Sequence, residues 1–432
     1  LALLDHDLMT DKKMLLLAPR RIAVRSCAGH MAALLGEKIG QTVGYRLRMD
    51  TKTGPATRIE VMTPGVFIRM IQNDPALEKI GLVIFDEFHE RNLYNDLGLA
   101  LCLDAAGAFC ETLKILIMSA TMDLEAVSSL LDAAPVITSK GRQHEVKTVY
   151  HRYADRMNQP VPIEQACFQA VKRALKETEQ DILVFLPGIG EIRRVGSLLD
   201  AWKETGLQVI ELYGDLPDKR QSQVFLPCPD GQRKIVLSTA VAETSITING
   251  IGVVIDSGLM RLPGFSPRTG MNRLETVKVS RASADQRRGR AGRTGPGICY
   301  RLWSSYEHQL LIPFTPPEIS SSDLSPLALE LAVWGVKTPD SLSWIDLPDP
   351  ASFARARQLL KMLGALDSQG RITDHGKKMA GLGLHPRLAH MVLKAMAGGT
   401  GDLACDLAAL LSERDIVRFG PGERDADLRL RL

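Results

Sequence analysis

Residues 285–293 read Asp-Gln-Arg-Arg-Gly-Arg-Ala-Gly-Arg, with four arginines and two glycines between Gln286 and Arg293. Small residues between arginines let a backbone approach a ligand while several guanidinium forks point at one place. A planar fork matches phosphate better than an ammonium group does. Alone, such a cluster reads as a solvated basic stretch or a nuclear-targeting run. Its company upstream changes that reading.

Residues 82–91, Leu-Val-Ile-Phe-Asp-Glu-Phe-His-Glu-Arg, are an apolar run ending in adjacent carboxylates. Asp86 and Glu87 at a strand end are suited to hold Mg2+ through water and to orient an attacking water. Taken alone, the pair reads first as a loop or helix cap. The same design recurs at 115–121, which ends in Ser119-Ala120-Thr121, 33 residues beyond Asp86. Further along stand Leu183-Val184-Phe185-Leu186-Pro187-Gly188 and the hydroxyl-rich stretch 238–248, Ser-Thr-Ala-Val-Ala-Glu-Thr-Ser-Ile-Thr-Ile. Amides and hydroxyls after such strands hold sugar-phosphate without reading bases, or they cap a helix. Pro19-Arg20-Arg21 and Thr63-Pro64-Gly65 also follow apolar runs, and each either grips a phosphate backbone or starts a helix.

These groups need elements to position them. Apolar runs at 14–17, 59–62, 82–85, 115–118, 182–186, 209–212, 235–237 and 253–255 predict buried parallel strands. Helical patterns at 21–35, 64–72, 96–104, 161–176 and 190–204 alternate with them, so an α/β sheet with helices on both faces is expected. Ligands of such sheets bind at the C-terminal strand ends, where the polar segments lie. The rhythm breaks near 139–160 and restarts, which predicts two similar lobes. A second break, Pro313-Phe314-Thr315-Pro316-Pro317, leads to helices at 324–335, 350–364, 373–381, 386–397 and 401–412. Residues 353–374 read as a helix–strand unit with a short strand at 370–373, and the charged end 413–432 reads as frayed.

At 432 residues the chain is too long for one ordinary domain, so about three are expected. With 45% hydrophobic and 24% charged residues, it has the composition of a soluble globular protein. A net charge of only +3 leaves nucleic-acid contact to local patches, and 5% aromatics argues against a stacking platform. The seven cysteines show no C-x-x-C spacing and read as reduced thiols of a cytoplasmic protein, with zinc disfavoured. No apolar run reaches membrane-spanning length. The first residue is Leu1 and no signal peptide is recognised, so the sequence reads as a fragment.

In their order along the chain, these segments resemble the DEAH-box branch of superfamily 2 helicases. The matching pieces are Ala18-Pro19-Arg20-Arg21, Thr63-Pro64-Gly65, Asp86-Glu87-Phe88-His89, Ser119-Ala120-Thr121, 184–188, 238–245 and 286–293. Phe88 in place of the usual alanine, followed by Glu90-Arg91, looks most like the bacterial HrpB-type subgroup. The resemblance implies an ATP- and Mg2+-dependent RNA helicase with 3′→5′ translocation and with RNA as partner, and the motifs leave DNA open. It implies two RecA-like lobes, the first incomplete, at 1–143 and 144–312. A winged-helix domain at 313–375 and part of a helical ratchet domain at 376–432 would follow. Asp86 and Glu87 would bind Mg2+ and position the hydrolytic water. His89, Ser119 and Thr121 would couple nucleotide state to lobe movement. Gln286, Arg290 and Arg293 would reach the γ-phosphate, and Arg20, Arg21, Thr63, Gly188 and Thr239 would contact the nucleic-acid backbone. Residues 259–279 would form the strand-separating hairpin.

One family feature is missing. No G-x-x-x-x-G-K-[ST] loop precedes the strand at 14–17, and the nearest decoy, Gly370 to Gly376-Lys377-Lys378, has five intervening residues and a lysine where a hydroxyl is required. Truncation ahead of Leu1 is the expectation, and this chain is expected to be deficient in ATP hydrolysis because the loop's amides and lysine hold the β- and γ-phosphates. Two rival readings follow: an RNA-binding scaffold that has lost nucleotide binding, and a DNA-directed motor.

Overall fold

The computed structural model describes residues 1–110, 112–120, 124–139, 141, 144–153, 159, 161–214, 216–228, 231–243, 248–266, 268–412, 415–417 and 425–432. Thr121 and the stretch 244–247 lie outside the described residues, as do parts of the break at 139–160.

The N-terminal apolar runs assemble into one sheet. It contains β1 (Lys13–Leu17), β2 (Val43–Leu47), β3 (Asp50–Lys52), β4 (Ile59–Met62), β5 (Ile80–Phe85) and β6 (Lys114–Ile117), in spatial order β3-β2-β4-β1-β5-β6. All neighbours are parallel except the β2–β3 hairpin. Period-two alternation divides β1 between two cores. Met14 and Leu16 pack with α1 (Arg21–Leu34), while Leu15 and Leu17 pack with α2 (Pro64–Asn73) and α3 (Leu93–Ala108). A short helix, α4 (Leu124–Leu130), follows β6. The outer strand β6 is only partly covered, and Leu116 and Met118 are exposed.

The rhythm restarts after the break, as the sequence predicts. The second sheet contains β7 (Val146–Tyr150), β8 (Asp181–Phe185), β9 (Leu207–Leu212), β10 (Arg233–Ser238) and β11 (Ile251–Asp256). An antiparallel hairpin, β12 (Leu259–Ser266) and β13 (Met271–Lys278), then leaves the sheet before β14 (Gly297–Arg301) returns to it. The order is β7-β14-β11-β8-β10-β9, with every pair parallel. Its helices are α5 (Ile163–Glu177), α6 (Ile189–Trp202), α7 (Asp218–Gln221), α8 (Arg281–Gly289) and α9 (Ser305–Gln309). Each of the eight anticipated runs is a strand to within two residues at either end. Four further strands escaped the sequence pattern. Of these β3 and β7 are half-exposed edges, while β2 and β14 are shortened as signals by Gly44 and Gly297.

Beyond the second sheet lie α10 (Ser325–Trp334), α11 (Pro350–Met362), α12 (Asp374–Leu382), α13 (Pro386–Ala397) and α14 (Gly401–Ser412). The strand expected at 370–373 does not form. Gly370 at φ 76 closes a turn onto Asp367 O, and only one antiparallel bridge, Leu366 to Ile372, remains. This helical region packs against α2 and α3 through one continuous core that includes Phe67, Leu97, Leu331, Leu360 and Met379. That explains why α3 is apolar all round: it is buried between sheet and helices. Arg69 pairs with Glu330 at 2.6 Å, and Trp334 Nε1 donates to Asp104 at 2.7 Å. On the other side, the β12–β13 hairpin reaches the helical region. The Phe265 amide donates to Ser321 O at 3.0 Å, and the Arg387 guanidinium lies where a Gly270 side chain would be. No helix among the described residues is long and apolar enough to cross a membrane, and all seven cysteines are free thiols.

Candidate functional site

The C-terminal end of the first sheet carries the anionic half of a cleft. The Asp86 amide donates to Leu17 O at 2.9 Å, so the chain leaves the sheet beside β1. Asp86 Oδ1 then accepts from the Glu87 amide at 2.9 Å. Glu87 sits at φ 49 and ψ 39, a left-handed conformation that is uncommon and costly for a side chain of this kind. Phe88 offsets the cost: its fully buried ring packs edge-on against Phe85 at 5.9 Å, and its amide donates to Met118 O at 3.1 Å.

His89 follows in a 3-10 turn, Phe88–Glu90. Its Nδ1 accepts from the Ala120 amide at 3.3 Å, and its Nε2 lies 3.4 Å from Glu87 Oε2. Burial holds the imidazole below its usual pKa, helped by Arg290 and opposed by Glu90 and Glu243. Because Nδ1 accepts, the neutral ring carries its proton on Nε2, which makes no hydrogen bond among the described residues. Ser119 Oγ is buried and has no hydrogen-bond partner among the described residues.

The cationic half comes from the second lobe. Helix α8 begins at an N-cap, where Ser280 Oγ accepts from the Ser283 amide at 3.1 Å. Its four arginine positions do not converge as the sequence reading supposed. Arg287 is 1% exposed and turns inward, bound to Glu243 at 2.9 Å and Asp256 at 2.8 Å, with its guanidinium 5.0 Å from the Phe185 ring centre. Ser283, one turn earlier on the same face, donates to the same Glu243 carboxylate. Arg288 is half-exposed near Asp285. Arg290 and Arg293 are the two whose charges act on Glu87 of the first lobe, and Arg290 also donates to Glu243 O.

The electrostatics tie the two halves together. Burial pushes the Glu87 carboxyl up to about 7, with Asp86 and Glu90 adding to the effect and Arg290 and Arg293 opposing it. Burial and Arg293 bring Arg290 down to about 9, against the pull of Glu87 and Glu243. Burial also lowers Arg293, again opposed by Glu87. Asp86 is raised by burial and by Glu90. Gln286 lines a cavity of about 200 Å3 between the lobes, together with Arg20, His89 and Glu243. His89 and Gln286 thus line one cavity, while Glu87 is linked to Arg290 and Arg293 through their charges.

The donor set suits a hard dication, since Asp86 and Glu87 are carboxylates whose excess negative charge a cation would relieve. Among the described residues no group of three or more His, Cys, Asp or Glu could hold a metal ion.

The residues assigned to nucleic-acid contact separate into groups. Arg20 and Arg21 line a cavity of about 1810 Å3 with Arg25, Arg193 and Arg220, under the hairpin residues Asn272 and Leu274. Thr63 lines another cavity, of about 730 Å3, between the first lobe and the helical region. Gly188 makes room for Arg261, whose guanidinium stands within 3 Å of where its Cβ would be. Thr239 follows β10, its amide donating to Leu212 O at 3.2 Å. Sequence reading missed Arg193, Arg220, Glu243 and Arg91. Arg91, at φ 45, holds Asp96 at 3.0 Å and Asp346 of the helical region at 2.7 Å. The nearness of Asp96 in sequence was a weak signal for the first contact, and nothing signalled the second.

Known proteins share this architecture. Residues 1–130 match the DEAD/DEAH box helicase family, 166–295 the helicase conserved C-terminal domain, and 356–384 the winged-helix form of the helicase associated domain. The chain carries these helicase domains on two parallel-sheet α/β lobes of RecA type. It is 45% identical over 417 residues to the ATP-dependent RNA helicase HrpB of Escherichia coli, covering 96% of this chain and 50% of that protein. It is 36% identical over 425 residues to the pre-mRNA-splicing factor ATP-dependent RNA helicase prp22 of Schizosaccharomyces pombe, covering 96% of this chain and 36% of that one. A crystal structure of the E. coli DEAH/RHA helicase HrpB superposes with a TM-score of 0.89 at 44% identity, over 96% of this chain and 52% of that chain. A crystal structure of the E. coli DExH-box NTPase HrpB gives 0.83 at 44% identity, over 94% and 50%. The chain therefore spans about half the length of HrpB, and less of prp22.

Glu87 gives a pH signature. Its folded pKa of about 7 stands above the ordinary 4.5, so folding takes up a proton between those values and its ionisation weakens the fold as pH rises through 7. Glu87→Gln is expected to be more stable than wild type at pH 8, with the advantage fading as pH falls through 7 towards 4.5. Chemical denaturation across that range checks it.

Proposed function

We propose that this chain is the motor portion of an ATP-dependent RNA helicase of the DEAH type, which closes the cleft between its lobes around Mg-ATP and moves 3′→5′ along a single strand. The carrying observation is that Glu87 of the first lobe lies in the field of Arg290 and Arg293 of the second. In this reading the lobes are 1–143 and 144–312, followed by a winged helix at 313–375 and part of a ratchet domain at 376–432, all in a cytoplasmic protein. A Mg2+ ion, held by Asp86 and Glu87 largely through water, would screen the phosphate charge.

The protein groups do the rest. Glu87, with a proton affinity near neutrality, accepts the proton of the attacking water. His89 links that carboxylate, through the Ala120 amide, to the segment that follows the neighbouring strand. Arg290, Arg293 and Gln286 meet the γ-phosphate only when the lobes close, so hydrolysis depends on closure. Arg20 and Arg21 hold the strand by its phosphates, with Thr63, Gly188 and Thr239 at other strand ends; such contacts do not read bases and admit DNA as well as RNA. The ratio of affinities for RNA and DNA at matched salt decides between them.

The missing phosphate-binding loop supports a second reading, in which this chain binds RNA without turning over ATP. The purified 432-residue chain is expected to hydrolyse ATP no faster, with or without RNA, than its Glu87→Gln variant. RNA-stimulated turnover above that control overturns this. The chain is still expected to bind single-stranded RNA. Arg20→Gln and Arg21→Gln should each reduce the slope of log affinity against log salt by about 0.7, measured by fluorescence anisotropy. Unchanged slopes would remove these arginines from the interface.

A further inference from the structure

Arg20 stands at a wall between two compartments. It lines the basic 1810 Å3 cavity, and it also lines the 200 Å3 cavity that holds His89, Glu243 and Gln286. Its Nη2 lies 3.4 Å from Glu90 Oε1, with the two side chains 29% and 16% exposed. Glu90 closes the 3-10 turn that carries His89 and begins one residue beyond Glu87. Arg20 N-caps α1 directly after β1, the strand beside β5, so both partners are fixed by neighbouring strand ends.

We propose that Glu90 is a positioning residue that competes with a nucleic-acid phosphate for Arg20, so that strand binding in the basic cavity and the state of the 86–90 turn are linked. This rests on the reading that the basic cavity takes a nucleic-acid backbone. A guanidinium has five donors, so a phosphate arriving from the large cavity engages it bidentately and draws it from the carboxylate. Glu90 then loses this ion pair, in the same short turn that begins one residue beyond Glu87. Linkage makes the effect mutual: whatever rearranges the turn alters strand affinity by the same factor as strand binding alters the turn.

The test uses the 432-residue chain and a fluorescein-labelled single-stranded oligouridylate, followed by anisotropy. Glu90→Gln, which keeps the side-chain shape and removes the charge, is expected to tighten binding about threefold at low salt, with the gain shrinking as salt screens the pair. Glu90→Ala should act in the same direction if the glutamine variant folds poorly. In an Arg20→Gln background the gain should vanish. Glu211→Gln removes another carboxylate that lines the basic cavity, and its effect should survive in that background. Equal tightening by Glu90→Gln with and without Arg20 overturns the proposal, because Glu90 would then act as bulk charge. Strand binding that Glu90→Gln leaves unchanged also overturns it, while the functional reading stands. A wild-type chain that binds no strand overturns both.

Discussion

Incompletely neutralised charge across a narrow gap is the constraint around which the rest of the molecule is arranged. Three carboxylates, Asp86, Glu87 and Glu90, crowd the end of the first sheet, and Glu87 holds its proton to about pH 7. Two guanidinium groups, Arg290 and Arg293, face them under enough burial to weaken their own hold on protons. Neither half is comfortable alone, and each eases the other only through the gap. A bound polyphosphate with its cation would supply the charges both halves lack, which is why such a site suits transition-state stabilisation better than resting stability.

The scaffold supplies the stiffness that this arrangement needs. Phe88 plugs the core between two left-handed residues, Glu87 and Arg91, so the strained turn is held at its centre by packing. Arg287 does the corresponding work in the second lobe, joining α8 to β11 through Asp256 and to the 240–243 turn through Glu243. Removing one member of such a buried set leaves the others unpaired, at a cost of about 3–5 kcal/mol. The helical region adds a third restraint by sharing its core with α2 and α3 and by holding Arg91 through Asp346.

The framework was legible because buried parallel strands announce themselves as unbroken apolar runs, and the polar residues that follow them must sit at one edge of a sheet. The cleft residues were legible for the same reason, together with the family resemblance. What could not be read was direction. Four nearby arginines look equivalent in a string, yet the helix turns Arg287 into the core beside Ser283 and leaves Arg290 and Arg293 for the cleft. Thr63, Arg20 and Gly188 all follow strands, but tertiary packing sends them to different surroundings. The expected strand at 370–373 failed because Gly370, at positive φ, closes a turn there and leaves a single bridge at Ile372. Contacts between distant segments, such as Arg91 with Asp346, leave no trace in local pattern.

Glu87 and the pair Arg290 and Arg293 act on one another across the gap between the lobes. Carboxyl carbon NMR of glutamate-labelled chain, titrated from acid to alkaline pH, measures this directly. Glu87 is expected to titrate near 7 in the wild-type chain and higher in both Arg290→Gln and Arg293→Gln, since each arginine lowers its proton affinity. A Glu87 pKa near the ordinary 4.5, or one that neither substitution moves, would contradict it.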